Sequence, residues 1–195
     1  MEATDALRRG KECYEINKEL FFNFFLEKFV SQISTVVYRR SSATDVIFNT
    51  SLRAAGEDHL FLLQLVSKAQ RICYSPDNLV TCGEGINIYA GKYSWNDPGH
   101  LIRHMGEILR LYEFCKHLPL SQENAIKVAN EIKFSRKCFA YLTVGWFFKK
   151  RELWPPELIK MTRRDPTFWL WYPFYVPYVL VCFSLGLFSP IRENE

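Results

Sequence analysis

Glycine and proline are scarce, with nine of each in 195 residues, which excludes a collagen-like or low-complexity chain. The sequence has no C-x-x-C pair, no G-x-S-x-G elbow, no Walker pattern and no kinase signature set. Nothing in it gives a positive reason to assign an enzyme, so a non-catalytic protein is expected. The N-terminal Met-Glu-Ala-Thr-Asp carries acids early and lacks the apolar core of a secretory signal. Cys13, Cys73, Cys82, Cys115, Cys138 and Cys182 are too scattered for a disulfide framework and read as buried free thiols. What is abundant is apolar material, 48% of residues, of which aromatics supply 16% of the chain. That composition can bury a core, and the length suits one domain or a domain with an appendage.

The formal charge of +4 is local in origin. Residues 1–126 hold 14 Lys/Arg against 15 Asp/Glu, a net of −1, whereas residues 127–164 hold 10 against 3, a net of +7. A nucleic-acid binder spreads its cations over a folded face among polar partners for bases. Here the basic block stands directly before an uncharged stretch, where anionic lipid headgroups attract it. No nucleic-acid partner is expected.

Apolar spacing along the chain is mostly helical. Phe22, Leu26, Phe29, Ile33 and Val37 recur every three or four residues and predict a helix from Leu20 to Tyr38. Val46 to Leu52 reads as a short helix ended near Gly56. Glu57 to Tyr74 opens with two acids suited to a helix N-terminus, carries Leu60, Leu63, Leu65 and Val66, and is stopped by Pro76. Cys82 to Gly99 holds four of the nine glycines and reads as a long loop or brief hairpin. Asp97-Pro98 then launches a helix that Pro119 ends, and Ser121 caps another running on towards Phe148. The expected fold class is all-α: a helical body over residues 1–165, including the basic juxtamembrane block 127–164, then a transmembrane helix at 166–190 and a short tail at 191–195.

That last segment rests on Thr167 to Ser189, 23 residues without a charge. As a helix it reaches about 34 Å, enough for a hydrocarbon layer of roughly 30 Å. Phe174, Val179, Leu180, Val181, Phe183, Leu185 and Leu187 are the expected spanning side chains. Trp169, Trp171 and Tyr172 gather at the end nearest the basic block, as interfacial aromatics do, and with Lys149, Lys150, Arg151, Lys160, Arg163 and Arg164 they form the expected headgroup zone. Pro173 and Pro177 either kink such a helix or break it. The competing reading is an aromatic-rich core helix or a proline-broken tail; it demands that the body hide nine aromatics from one terminal stretch. The run Phe139 to Phe148 covers only about 15 Å and cannot span. It is expected to pack internally or to lie at the interface.

Candidate chemistry is thin. His100 and His104 share one helix face at i, i+4 and with a third ligand suit a metal, but the Glu of a zinc-protease motif is absent and ordinary surface or core histidines are the favoured reading. Gly83-Glu-Gly85 starts like a dinucleotide fingerprint and lacks its third glycine. No metal and no cofactor is expected beyond a structural phospholipid of the cardiolipin type.

Tyr74 to Val80 (YSPDNLV), Trp95 and Ile108-Leu-Arg-Leu-Tyr-Glu113 together resemble the middle of the peroxisome-proliferation peroxins, membrane-shaping proteins also found in glycosomes. The likeness covers some 40 residues; that family's glycine-rich final membrane segment is here aromatic and proline-containing. It implies amphipathic helices that wedge between lipids and bend a peroxisomal or glycosomal membrane. The leading expectation from the residues themselves is a non-catalytic accessory subunit of a large mitochondrial inner-membrane complex, such as the respiratory chain or ATP synthase, which scaffolds partner subunits and lipid. A soluble helical viral or regulatory protein is the third reading.

Overall fold

The structure, a computed structural model, describes residues 6–8, 13–28, 33–52, 56–76 and 98–185. Most of the described chain is helical, in six α-helices, with one small three-stranded sheet that the sequence reading did not foresee. Helix α1 (Lys18–Glu27) begins where the Asn17 side chain accepts the Leu20 backbone N–H at 3.0 Å, and it buries Phe22, Phe25 and Leu26. The helix predicted to reach Tyr38 stops at Lys28, which is extended; Ile33–Thr35 forms a single 3-10 turn and Val37 is 99% exposed. Ile33, Thr35, Val36 and Val37 are β-branched and lose side-chain freedom in a helix, so the apolar spacing there is no helical face. Phe29 lies outside the described residues.

The short helix expected at Val46 to Leu52 is likewise only a 3-10 turn, Thr50–Leu52. Asn49 accepts from both the backbone N–H and the hydroxyl of Ser51, a local turn that competes with helix formation. Helix α2 (Glu57–Lys68) starts after Gly56, whose φ of +83° places it in the left-handed region. A methyl group on Gly56 would lie 2.1 Å from Arg110 Cδ, so glycine is needed for space as well as for backbone freedom. The helix expected to continue to Tyr74 ends at Ala69, because Ile72–Tyr74 instead forms β3. With β1 (Ala6–Arg8) and β2 (Tyr14–Ile16) it makes an antiparallel sheet in the order β1-β2-β3, with Tyr14 opposite Tyr74 and Ile16 opposite both Ala6 and Ile72. The Tyr14 and Tyr74 rings stack at 5.3 Å, a cross-strand pair that a helix ending at Pro76 would have forfeited.

Helix α3 (Pro98–His117) starts at the proline and ends short of Pro119, as the punctuation of the sequence requires. Helix α4 (Gln122–Lys150) is capped by Ser121, whose hydroxyl accepts the Asn124 N–H at 3.2 Å. Between α4 and the last helix lies α5 (Pro156–Thr162), a short element with no sequence forecast. Leu101, Met105, Ile108, Leu109 and Phe114 of α3 join Phe25 of α1, Leu60 and Leu63 of α2, and Val128, Phe139 and Leu142 of α4 in one core.

Helix α6 (Phe168–Ser184) contains both Pro173 and Pro177 and is not broken by them. Its 17 residues reach about 25 Å, and among the described residues no helix is long and apolar enough to cross a membrane. The transmembrane helix expected at 166–190 is thus not found among the described residues, which end at 185, and one side of α6 is occupied by the protein itself: Phe168, Trp171, Val179 and Cys182 are buried.

Candidate membrane-facing site

The inner face of α6 is held by a polar knot. Asp165, 3% exposed, accepts the Thr167 backbone N–H at 2.9 Å and hydroxyl at 2.8 Å, and the Trp171 indole N–H at 2.7 Å. From α4, Arg136 donates to Thr167 Oγ1 at 2.7 Å and to the Tyr112 hydroxyl of α3; that hydroxyl lies 2.9 Å from Thr167 Oγ1. Burial pushes the Tyr112 phenol up from its ordinary pKa, so it stays a neutral donor and acceptor. The Arg136 guanidinium also lies 5.1 Å from the Trp171 ring centre, a cation–π contact. Beyond the knot, the Phe139, Trp154, Phe168 and Tyr172 rings meet mostly edge to face. Tyr172 donates to Thr143 Oγ1 at 2.9 Å.

Of the expected membrane contacts, Trp171 and Val179 are buried and Tyr172 is half-buried. Trp171, Tyr172 and Val179 point into the body, because their helix positions coincide with the face that meets α4 and because the indole and phenol find hydrogen-bond partners there. Trp169, 70% exposed, is available, as are Leu170, Phe174 at 78%, Leu180, Val181 and Leu185. The Phe183 side chain and Leu187 lie outside the described residues, as does the 191–195 tail.

The outer face of α6 carries no charge and, among the described residues, meets no intramolecular partner of comparable size. Trp169, Leu170, Pro173, Phe174, Pro177, Tyr178, Leu180, Val181 and Leu185 all fall on it. The end of α4 extends it with Phe147 and Phe148, both exposed, and the following loop adds Leu153 at 93%. Helices that are apolar all round are normally enclosed on all sides. An exposed apolar surface of this continuity marks an interaction site.

Cations border the surface. Lys149, Lys150 and Arg151 close α4 and are exposed, while Lys137 lies 5.3 Å from the Tyr178 ring centre. Lys160, Arg163 and Arg164 are exposed on and after α5, Arg164 donating to the Ser51 carbonyl at 2.6 Å. Between α4 and α6 runs an open groove of about 440 Å³ lined by Thr143, Val144, Phe147, Phe148, Trp154, Tyr172, Val176 and Leu180. Periodicity alone did not reveal this groove; the signal that hints at it is the aromatic pair Phe147-Phe148 next to a cationic run.

The histidines assemble no metal centre. His104 Nδ1 lies 3.7 Å from Glu107 Oε2, and burial is the main cause holding its pKa below the usual value. Among the described residues no cluster of three His, Cys, Asp or Glu side chains suits a metal ion. No described cysteine is in a disulfide; Cys138 and Cys182 are buried as expected, but Cys73 and Cys115 are exposed. Gly83-Glu-Gly85, Asp77 and Trp95 lie outside the described residues. Of the peroxin-like segments, Tyr74 lies on β3 and Ile108 to Glu113 on α3. No protein-family model, curated protein or solved structure matches the chain.

Proposed function

We propose that this is a non-catalytic accessory protein of an organelle-membrane complex, seated on the bilayer surface by α6 instead of threading through it. The observation that carries the reading is the uncharged outer face of α6, continued by Phe147 and Phe148 and bordered by Lys149, Lys150 and Arg151. A helix lying in the headgroup plane buries its apolar side a few ångströms deep and keeps its cations among the phosphates. The carbonyls left without partners by Pro173 and Pro177 are tolerable at that depth, where water still reaches them. The same helix fastens the helical body through Asp165 and Arg136, so the body is presented to neighbouring subunits at a defined angle. We place those neighbours in the mitochondrial inner membrane.

Vesicle flotation tests the reading. The full chain is expected to float with phosphatidylcholine–phosphatidylglycerol vesicles, and a Phe174→Glu, Val181→Glu variant, altered only on the outer face, to stay in the dense fraction. A wild-type chain that does not float sinks the membrane assignment. Co-migration with other chains after mild detergent extraction supports the accessory role, whereas a chain that runs alone and tubulates vesicles belongs with the membrane-remodelling class.

A further inference from the structure

We infer that the groove between α4 and α6 holds one acyl chain of an anionic phospholipid, with Lys149, Lys150 and Arg151 receiving its headgroup; the inference rests on the membrane-associated reading above. Six of the lining side chains, Val144, Phe147, Phe148, Trp154, Val176 and Leu180, are apolar or predominantly so. The two hydroxyls that reach the wall are already engaged: Tyr172 donates to Thr143 Oγ1, and Thr143 donates to the Ala140 carbonyl at 2.9 Å. Water in the groove has few partners, and a polar ligand has little to bind. An alkyl chain needs none.

The volume of about 440 Å³ is near the lower end of the roughly 300–1,000 Å³ range of small-ligand pockets. That suits a single slender chain, while a partner helix, about 10 Å across with its side chains, needs a broader trough. The segment next to the groove is cationic: Phe148 and Trp154 both line the groove, and the chain that joins them carries Lys149, Lys150 and Arg151, all exposed, against the single carboxylate of Glu152. An apolar slot next to a net positive segment complements one chain of an anionic lipid, the second chain remaining in the bilayer under the outer face of α6.

Native mass spectrometry of the full chain, extracted in mild detergent and supplied with phosphatidylglycerol or phosphatidylcholine of identical acyl chains, tests this. The expected result is one phosphatidylglycerol retained per chain, preferred about tenfold or more over phosphatidylcholine, as three nearby cations should give. Val176→Trp fills the groove and is expected to abolish retention while vesicle flotation through the outer face persists. Combined Lys149→Ala, Lys150→Ala and Arg151→Gly changes, all on exposed positions, should lower phosphatidylglycerol retention to the phosphatidylcholine level. Equal retention of the two lipids by the wild type, or wild-type retention by a folded Val176→Trp chain, overturns the inference; if Val176→Trp does not fold, the cation variant decides alone. A chain that floats yet retains no lipid overturns the groove and leaves the membrane reading standing, and one that retains phosphatidylglycerol without floating does the reverse.

Discussion

At the residue scale, His59 shows how burial sets protonation. It sits 3% exposed between Phe25 and Phe114; its Nε2–H donates to the Phe25 carbonyl at 2.6 Å, which leaves Nδ1 to accept from Arg110 at 3.3 Å. Burial first, and the Arg110 charge second, lower its pKa from 6.5 to about 4. Because the unfolded chain takes up the proton first, stability is full above pH 6.5 and falls as pH drops towards about 4, by about 3 kcal/mol in total. Urea unfolding at pH 7 and pH 4.5 should show that slope, and His59→Gln, which cannot titrate, should flatten it; an unchanged slope would reject this account. Asp165 makes a different point. Asp165→Ala strands the Trp171 indole N–H and the Thr167 N–H, so a loss of about 3 kcal/mol is expected in the same assay. Neither role was legible in the sequence, where no local pattern marks His59 or Asp165. Their partners lie 34 and 51 residues from His59, and Arg136 stands 31 residues from Thr167, separations that local pattern does not report.

At the scale of elements, what local chemistry dictates was readable. Ser121, Pro98 and Pro119 mark helix ends because capping and the missing proline N–H act within a turn. The sheet was not readable, since Ile72–Tyr74 becomes a strand only when Tyr14–Ile16 is beside it. Periodicity overran at Tyr74 for the same reason: apolar spacing reports a face, but which face is buried depends on what else is present. The end of α4 offers a test of local strain. Arg151 caps the helix with φ of +53°, its N–H bonding the Phe147 carbonyl at 3.0 Å, in a conformation that costs a non-glycine residue about 1 kcal/mol or more. Arg151→Gly should therefore raise the melting temperature by roughly 2–4 °C, while weakening attachment to anionic vesicles through the lost charge. A lower melting temperature would show that the arginine side chain contributes more than its backbone costs.

At the scale of the whole molecule, α6 presents two faces, one buried in the body and one exposed. Phe168, Trp171, Val179 and Cys182 are buried in the body, and burial of large apolar side chains at about 1.5–3 kcal/mol each is comparable with the entire stability of a domain. Removing residues 166–195 should therefore leave a chain that lacks a cooperative thermal transition by circular dichroism; a truncated chain that melts like the full one would mean that the inner face contributes little. The outer face predicts a different dependence, on salt. Attachment to anionic vesicles should weaken as the ionic strength rises to about 1 M, where charges are screened beyond roughly 3 Å. Attachment to neutral vesicles should not weaken, because apolar burial is not screened.

The sequence by itself determined that the chain is mainly helical, where α3 and α4 begin and end, and that its last charge-free stretch is apolar on every side, since these follow from side-chain chemistry within a few residues. Only the tertiary structure decided that α6 is 17 residues long, that Trp171, Tyr172 and Val179 turn inward while Trp169 and Phe174 turn outward, and that a groove opens beside Phe148. The physical reason is that hydrophobicity states how strongly a side chain avoids water and says nothing of which apolar surface it will meet. Arg136 and Asp165, by turning one edge of α6 onto α4, make that choice.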